Sequence, residues 1–278
     1  MQIQFAYSTN AFKKFTLEAA IKKIALSGFD GVEIMADAPH LYPPDYGAPR
    51  KLNRLKNLLA KTGLAVSNLN TFTLCAIGDM HHPSWIEKDK KLRELRIQHT
   101  KACLCLAKEL DCPNISIQPG GRNEHFTRKK SENMFFAGLQ EVIPLAEDLD
   151  VNILIEPEPQ LLFENSRQFE KFAARFKTDV IGLNCDIGHF YCAGENPAEV
   201  ILRLHKYIGH IHIEDILNRA HNHLICGEGE INYKPIFKAL KKIDYHGFIS
   251  VELYPYQDTP VEAGMKSLKY LKKLQDEN

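Results

Sequence analysis

Residues 207–230 read YIGHIHIEDILNRAHNHLICGEGE and concentrate groups that could bind a metal or move a proton. The β-branched alternation His210-Ile211-His212-Ile213 opens the stretch as a buried strand would. Glu214, Asp215, Arg219, His221 and His223 then crowd a turn-prone segment that closes on Gly227-Glu228-Gly229. Acids and imidazoles at the end of a strand are costly to desolvate, and a mixed nitrogen and oxygen donor set suits a divalent metal. Taken alone, the stretch also admits a second, less favoured reading as a solvated, histidine-rich loop.

Other apolar runs end in the same way. Glu33, Asn70, Gln118, Glu156, Asp186, His212 and Glu252 each stand at the end of a run, and the last four belong to consecutive runs. Facing inward across a common opening, three carboxylates would repel one another and raise their pKa values unless a cation sat among them. Three oxygens and one imidazole form a hard set for one divalent metal. That favours Mn²⁺ or Mg²⁺, with Co²⁺ or Zn²⁺ as alternatives, over a structural zinc, which would draw on cysteine and histidine. Cys185, next to Asp186 on an extended chain, points to the opposite face and is read as packing. Glu158 lies two residues beyond Glu156 and so faces the same way, where it could hold a substrate hydroxyl or stand as a surface acid beside prolines.

These positions matter only if the runs are strands. Eight short, nearly continuous apolar runs cover 3–7, 31–34, 64–69, 114–118, 151–155, 180–185, 209–213 and 248–251. Between and after them, helical spacing predicts helices over 17–26, 51–61, 89–110, 131–149, 166–176, 197–205, 233–242 and 261–274, with Ser131 as the cap of the fourth. Runs buried on both faces and alternating with helices belong to parallel sheets, and eight such units make a (β/α)₈ TIM barrel, here one domain over 1–278. A doubly wound sheet is the other candidate, but no GxGxxG turn follows the first run.

Composition narrows the function classes. The 278 residues are 44% hydrophobic and 25% charged, as in ordinary soluble proteins. The 35 basic and 35 acidic residues cancel, which disfavours a nucleic-acid partner. Seven cysteines without a CxxC pair read as reduced thiols, and no run is long enough to span a bilayer, so the expectation is a cytoplasmic protein with no membrane partner.

The segments Ile155-Glu156-Pro157, Asp186-Ile187-Gly188-His189, Gly209-His210-Ile211-His212 with Asp215, Gly227-Glu228-Gly229 and Val251-Glu252 resemble the sugar isomerase/epimerase superfamily. This xylose-isomerase-like TIM barrel group includes ketose 3-epimerases, inosose dehydratases, hydroxypyruvate isomerases and AP endonucleases of the endonuclease IV kind. The similarity runs from the segment 28–34 to the last strand. Ala38-Pro39-His40, Pro44-Asp45 and His221-Asn222-His223 look most like the fructoselysine 3-epimerase branch.

The resemblance implies that Glu156, Asp186, His212 and Glu252 hold one Mn²⁺-type ion on two adjacent oxygens of a ketose. Glu156 and Glu252, on opposite faces of the substrate, would then exchange a proton through a cis-enediolate. Return to the opposite face gives an epimerase, and return to the neighbouring carbon an isomerase. His189, Arg219, His223, His40 and Gln118 join Glu158 as expected substrate contacts, although Arg219 lies one residue further from His212 than the pattern requires. The endonuclease branch holds an extra zinc at positions matching His189, His221 and His223, so a second metal is an open alternative to substrate contact.

His81, His82 and Trp85 lie in a long loop that could lid the site, and Tyr7 and Phe72 could form its apolar wall or the core. The expected partner is a small-molecule sugar, in a homodimer or homotetramer. A phosphate on that sugar has no cradle at the Gly227-Glu228-Gly229 turn, where a carboxylate replaces bare amides. An inosose-dehydratase-like lyase uses the same metal and enolate. A phosphodiesterase of the AP-endonuclease kind is disfavoured by Asn70 and Gln118, where that branch has histidines, and by the absent basic excess. A non-catalytic sugar-binding barrel would have lost a ligand, and all four are present.

Overall fold

The computed structural model describes residues 3–277. Eight parallel strands close a barrel: β1 (Gln4–Ser8), β2 (Gly31–Met35), β3 (Ala65–Asn70), β4 (Asn114–Ile117), β5 (Asn152–Ile155), β6 (Ile181–Asp186), β7 (Ile208–Ile213) and, after a hairpin of β8 (Asp215–Leu217) and β9 (Ala220–Leu224), β10 (Phe248–Val251). Their order around the barrel is β1-β10-β7-β6-β5-β4-β3-β2. Every residue of β2 and β6 is buried, which is why neither strand alternates apolar with exposed polar residues.

Among the described residues nine α-helices surround the strands: α1 (Leu17–Leu26), α2 (Pro49–Thr62), α3 (Lys90–Glu109), α4 (Arg128–Leu149), α5 (Ser166–Ala173), α6 (Ile187–Cys192), α7 (Pro197–Leu204), α8 (Tyr233–Lys242) and α9 (Pro260–Asp276). Their starts carry the expected chemistry. Thr16, Asp89, Asn165 and Asn232 accept from backbone N–H groups at the starts of α1, α3, α5 and α8, and Pro49 and Pro197 open α2 and α7. Gly63 ends α2 with φ 71°, a left-handed conformation that a side chain would strain. Among the described residues no helix is long and apolar enough to cross a membrane.

Three departures from the sequence expectation bear on the site. Helix α4 starts at Arg128, not Ser131: Thr127 is the cap, and the Ser131 hydroxyl, buried within the helix, donates to Asn123 Oδ1. The three cations Arg128, Lys129 and Lys130 oppose the helix dipole in that first turn and mask its start. Helix α6 follows β6 without a loop, Asp186 being its cap. The histidine-rich stretch after β7 is neither loop nor helix but the antiparallel hairpin β8–β9.

The long loop over 71–88 is pinned from below. Trp85 is buried edge-on against Phe135 at 5.5 Å between ring centres, so it is core and not a stacking surface for substrate. The buried Arg96 of α3 donates from Nε to the Pro83 carbonyl (2.8 Å) and from Nη1 to the Thr71 carbonyl (3.0 Å). Tyr7 is likewise core, its hydroxyl donating to the Pro260 carbonyl at 2.9 Å.

His99, beside Arg96 on the inner face of α3, packs against Cys103 Sγ at 3.5 Å. Burial, and then the Arg96 guanidinium, push its imidazole from 6.5 down to about 3. Its folded pKa lies below its unfolded one, so between those values the unfolded chain binds the extra proton and stability falls as pH drops from 6.5. By pH 3 this one residue favours unfolding by on the order of 4 kcal/mol. Thermal melts across this range should show His99→Leu with a flatter pH dependence than the parent chain; equal slopes would place the acid sensitivity in other groups.

Candidate metal centre and substrate cavity

The floor of the barrel mouth is made by residues that leave their strands pointing at one another. Glu156 and Glu252 follow β5 and β10 directly, and their backbone N–H groups still bond to the neighbouring strands at Ile117 and Ile213. Asp186 ends β6, and His212 is the penultimate residue of β7. His212 Nδ1 lies 3.0 Å from Glu156 Oε1, 3.6 Å from Glu252 Oε2 and 3.7 Å from Asp186 Oδ2. One donor atom from each of the four falls within 4.8 Å of the others, and all four residues are buried.

A fifth residue orients this group. His212 Nε2 donates to Glu33 Oε2 of β2 at 2.6 Å, which turns Nδ1 toward the acids. Glu33 also meets His210 Nε2 at 3.2 Å and accepts from Asn68 Nδ2 at 3.1 Å. Burial alone would raise its pKa, but His212 and His210 hold it well below the usual carboxylate range. For His212 burial acts downward, and Glu33, Glu156 and Glu252 pull the pKa well above its usual value. Burial pushes the Glu156 carboxyl up, opposed by His212, and pushes Glu252 far up. Asp186 is held low, against burial, by His189 and His212.

Glu156 Oε2 and Asp186 Oδ2 are buried with no hydrogen-bond donor. Undonated carboxylate oxygens are costly in an interior. Together with an imidazole nitrogen aimed at the same point they fit a hard divalent cation. Glu252 is complementary: its Oε1 accepts from Asn10 Nδ2 at 2.7 Å and Asn70 Nδ2 at 3.3 Å, leaving Oε2 for the centre. Glu214, with neither carboxylate oxygen partnered, lies buried behind the same acids and is pushed well up by burial, then Asp186 and Glu252.

A second cluster stands over the first. The hairpin places His221 and His223 on one face, opposite His189 of α6, and their Nε2 atoms converge: His221 lies 2.8 Å from His189 and 2.9 Å from His223. The flanking tautomers are fixed by carbonyls, which can only accept. His189 Nδ1 donates to Pro157 O (3.0 Å), and His223 Nδ1 donates to Glu252 O (3.0 Å). Burial keeps both rings neutral, His189 down to about 4 and His223 to about 3. Each therefore presents a lone pair at Nε2 to His221, whose Nε2 carries at most one proton. Hydrogen bonding satisfies one of the two contacts and leaves the other lone pair against lone pair; a cation would satisfy all three.

Both clusters open into a cavity of about 310 Å³. Glu156, Glu158, His189, His221, His223, Glu252 and Tyr254 line one side, and the Glu158 carboxyl is pushed well up by burial and then by Glu156. Phe72 lines the cavity as an apolar wall, with Met35 and Met80.

Three expected substrate contacts are elsewhere. Arg219 shares with Asn218 the two-residue turn of the hairpin, both with positive φ (54° and 55°). The turn carries Arg219 to the exposed tip, where Nη1 donates to the Tyr191 carbonyl at 3.0 Å. His40 is buried behind the first loop, its Nε2 at 3.2 Å from Phe12 O and 3.3 Å from Phe15 O. Gln118 is buried beneath the long loop, where Nε2 donates to the His81 carbonyl at 3.5 Å. Glu33 had a strand-end signal that gave it no role, whereas Asn10, in a turn after β1, carried none.

The sequence pattern of xylose isomerase-like TIM barrels matches residues 21–274. Among curated relatives, an uncharacterised protein of Methanocaldococcus jannaschii is 28% identical over 260 residues, covering 91% of this chain and 84% of that one. An inosose dehydratase of Clostridium botulinum is 24% identical over 283 residues, with 94% and 90% covered. A crystal structure of a D-tagatose 3-epimerase-like protein superposes with a TM-score of 0.82 at 23% identity, covering 99% of both chains, a likeness of fold. With the closed eight-stranded barrel and a match over most of its length, the chain belongs to the xylose isomerase-like TIM barrel family.

Proposed function

We propose that this chain is a cytoplasmic, divalent-metal-dependent sugar isomerase or epimerase, acting on a ketose or ketose conjugate. The observation that carries the reading is that two buried glutamates, Glu156 and Glu252, flank one cation-fitting centre and line the same cavity. Glu156, Asp186, His212 and Glu252 would hold the ion, with Mn²⁺ favoured because it takes carboxylate oxygens and still accepts an imidazole nitrogen. Bound there, it would polarise adjacent substrate oxygens and acidify the carbon between them. Glu156 and Glu252 come from β5 and β10, so each can address one face of that carbon as base or acid. Asn10 and Asn70 steady Glu252 by occupying Oε1. His189, His223 and Glu158 line the cavity and would contact substrate hydroxyls, while Glu33 holds His212 in register.

The inosose dehydratases among the relatives support a second reading, a lyase that begins with the same proton removal. The convergent Nε2 atoms support a second ion at His189, His221 and His223.

Glu252→Gln keeps the volume but cannot take a proton, and should lower turnover about 10²–10⁴-fold with an unchanged circular dichroism spectrum; near-parent turnover would remove Glu252 from the chemistry. EDTA should abolish exchange of substrate hydrogen with D₂O, and added Mn²⁺ should restore it, whereas exchange that survives complete metal removal argues against the centre. Glu33→Gln should weaken Mn²⁺ binding about 10–100-fold by calorimetry, because the imidazole loses its anionic acceptor; unaltered affinity would make Glu33 a bystander.

A further inference from the structure

The two halves of the cavity differ in kind. The groups fitted for proton transfer come from β5, α6, the hairpin and the end of β10. The remaining wall comes from the turn after β1, the ends of β2 and β3 and the loops after β3 and β4, and includes Lys13, Met35, Phe72, Met80, His81 and Arg122. Met35, Phe72 and Met80 offer no hydrogen bonds to a sugar hydroxyl. Asn10 and Asn70, which also line that half, donate to Glu252, and Thr73 donates to Asp37, so among the described lining residues there Lys13 and Arg122 are the charged donors, beside the imidazole of His81.

Both are placed there by the backbone. The turn Thr9–Phe12 is buried throughout, and Lys13 is its capping residue, half-buried. Its neighbour Lys14 turns outward to an ion pair with Asp258, and Lys13 faces the cavity. Arg122 follows Gly121, whose φ of 116° and lack of room for a Cβ (2.5 Å from Ser84 Cβ) fix the path of the chain into the mouth. Among the described residues neither Lys13 nor Arg122 has a carboxylate within 4.0 Å, although the opposite half of the same cavity is rich in acids. Arg122 is exposed and acts on Glu158 only from beyond that distance, opposing part of the rise in its pKa, so neither cation is held in an ion pair within the cavity.

We infer that Lys13 and Arg122 form an anion-recognition subsite, so that the substrate is a ketose bearing a phosphate ester or carboxylate at the end remote from the reacting carbon. The inference rests on the proposed isomerase reading for the orientation of the sugar. It differs from a phosphate cradle at Gly227-Glu228-Gly229, because Gly227 and Gly229 are packed against Tyr270 and Asp215 and line no part of the cavity. A guanidinium can grip either anion through two parallel donors, with the ammonium adding a point charge.

The test is calorimetric titration of the purified, Mn²⁺-supplied protein with three ligands: a ketohexose, its terminal phosphate ester and the sugar acid with a terminal carboxylate. Deuterium exchange is followed in parallel. At least one anionic ligand should bind ten-fold or more tightly than the neutral ketose, and whether the ester or the acid does so identifies the source of the anion. The Lys13→Met/Arg122→Met double variant should bring the ratio within two-fold while binding the neutral ketose as the parent does. Equal affinity for all three ligands in the parent, or a preference that survives in the double variant, overturns the subsite. Anion preference without deuterium exchange keeps the subsite and sinks the isomerase reading; exchange with the neutral ketose and no preference does the reverse.

Discussion

The interaction on which the site depends is the hydrogen bond from His212 Nε2 to Glu33. It links β7 to β2 across the interior, between strands that are not neighbours in the sheet, and only a closed barrel brings them within reach. The bond decides which imidazole nitrogen faces Glu156, Asp186 and Glu252. A buried carboxylate that serves one histidine so directly is kept ionised by it. Barrel closure, ring orientation and the charge balance of the centre are thus one constraint seen at three scales.

Much of this was legible in the chain. A residue that ends a buried parallel strand must emerge at the barrel mouth, so the order Glu156, Asp186, His212, Glu252 followed from the apolar runs preceding them. What could not be read were the places where the backbone turns on local geometry. The hairpin β8–β9 is too short and too polar to announce itself, and its positive-φ turn redirects Arg219 by a few residues, enough to carry it from cavity to tip. His40 and Gln118 have the right composition, but each is buried away from the cavity with its Nε2 turned to backbone carbonyls. Trp85 has the character of a sugar-stacking residue until Phe135 and Gly138 show the hole it fills. Side chains on strand ends are positioned by the sheet, and side chains on loops by whatever packs beneath them.

That contrast also describes how the cavity is built. The acids and imidazoles with chemical potential stand on strands, a short helix rooted in one, and a hairpin, all rigid supports. The groups facing the other half come from connecting loops, which accept exchange of residues with little cost to the barrel.

Asp186 divides its two oxygens between duties: Oδ1 accepts from the His189 backbone at 2.7 Å and starts α6, and Oδ2 faces the centre. In evolutionary terms the position is filtered twice. A residue that cannot cap a helix would release α6 and the histidine it carries, so drift there is confined to a small set of capping residues. Asparagine, one nucleotide substitution away, satisfies the first filter and fails the second. Under the proposed isomerase reading, a lineage that abandons catalysis has in position 186 a ready route to a folded, silent barrel, and asparagine at that site is the mark such a descendant would carry.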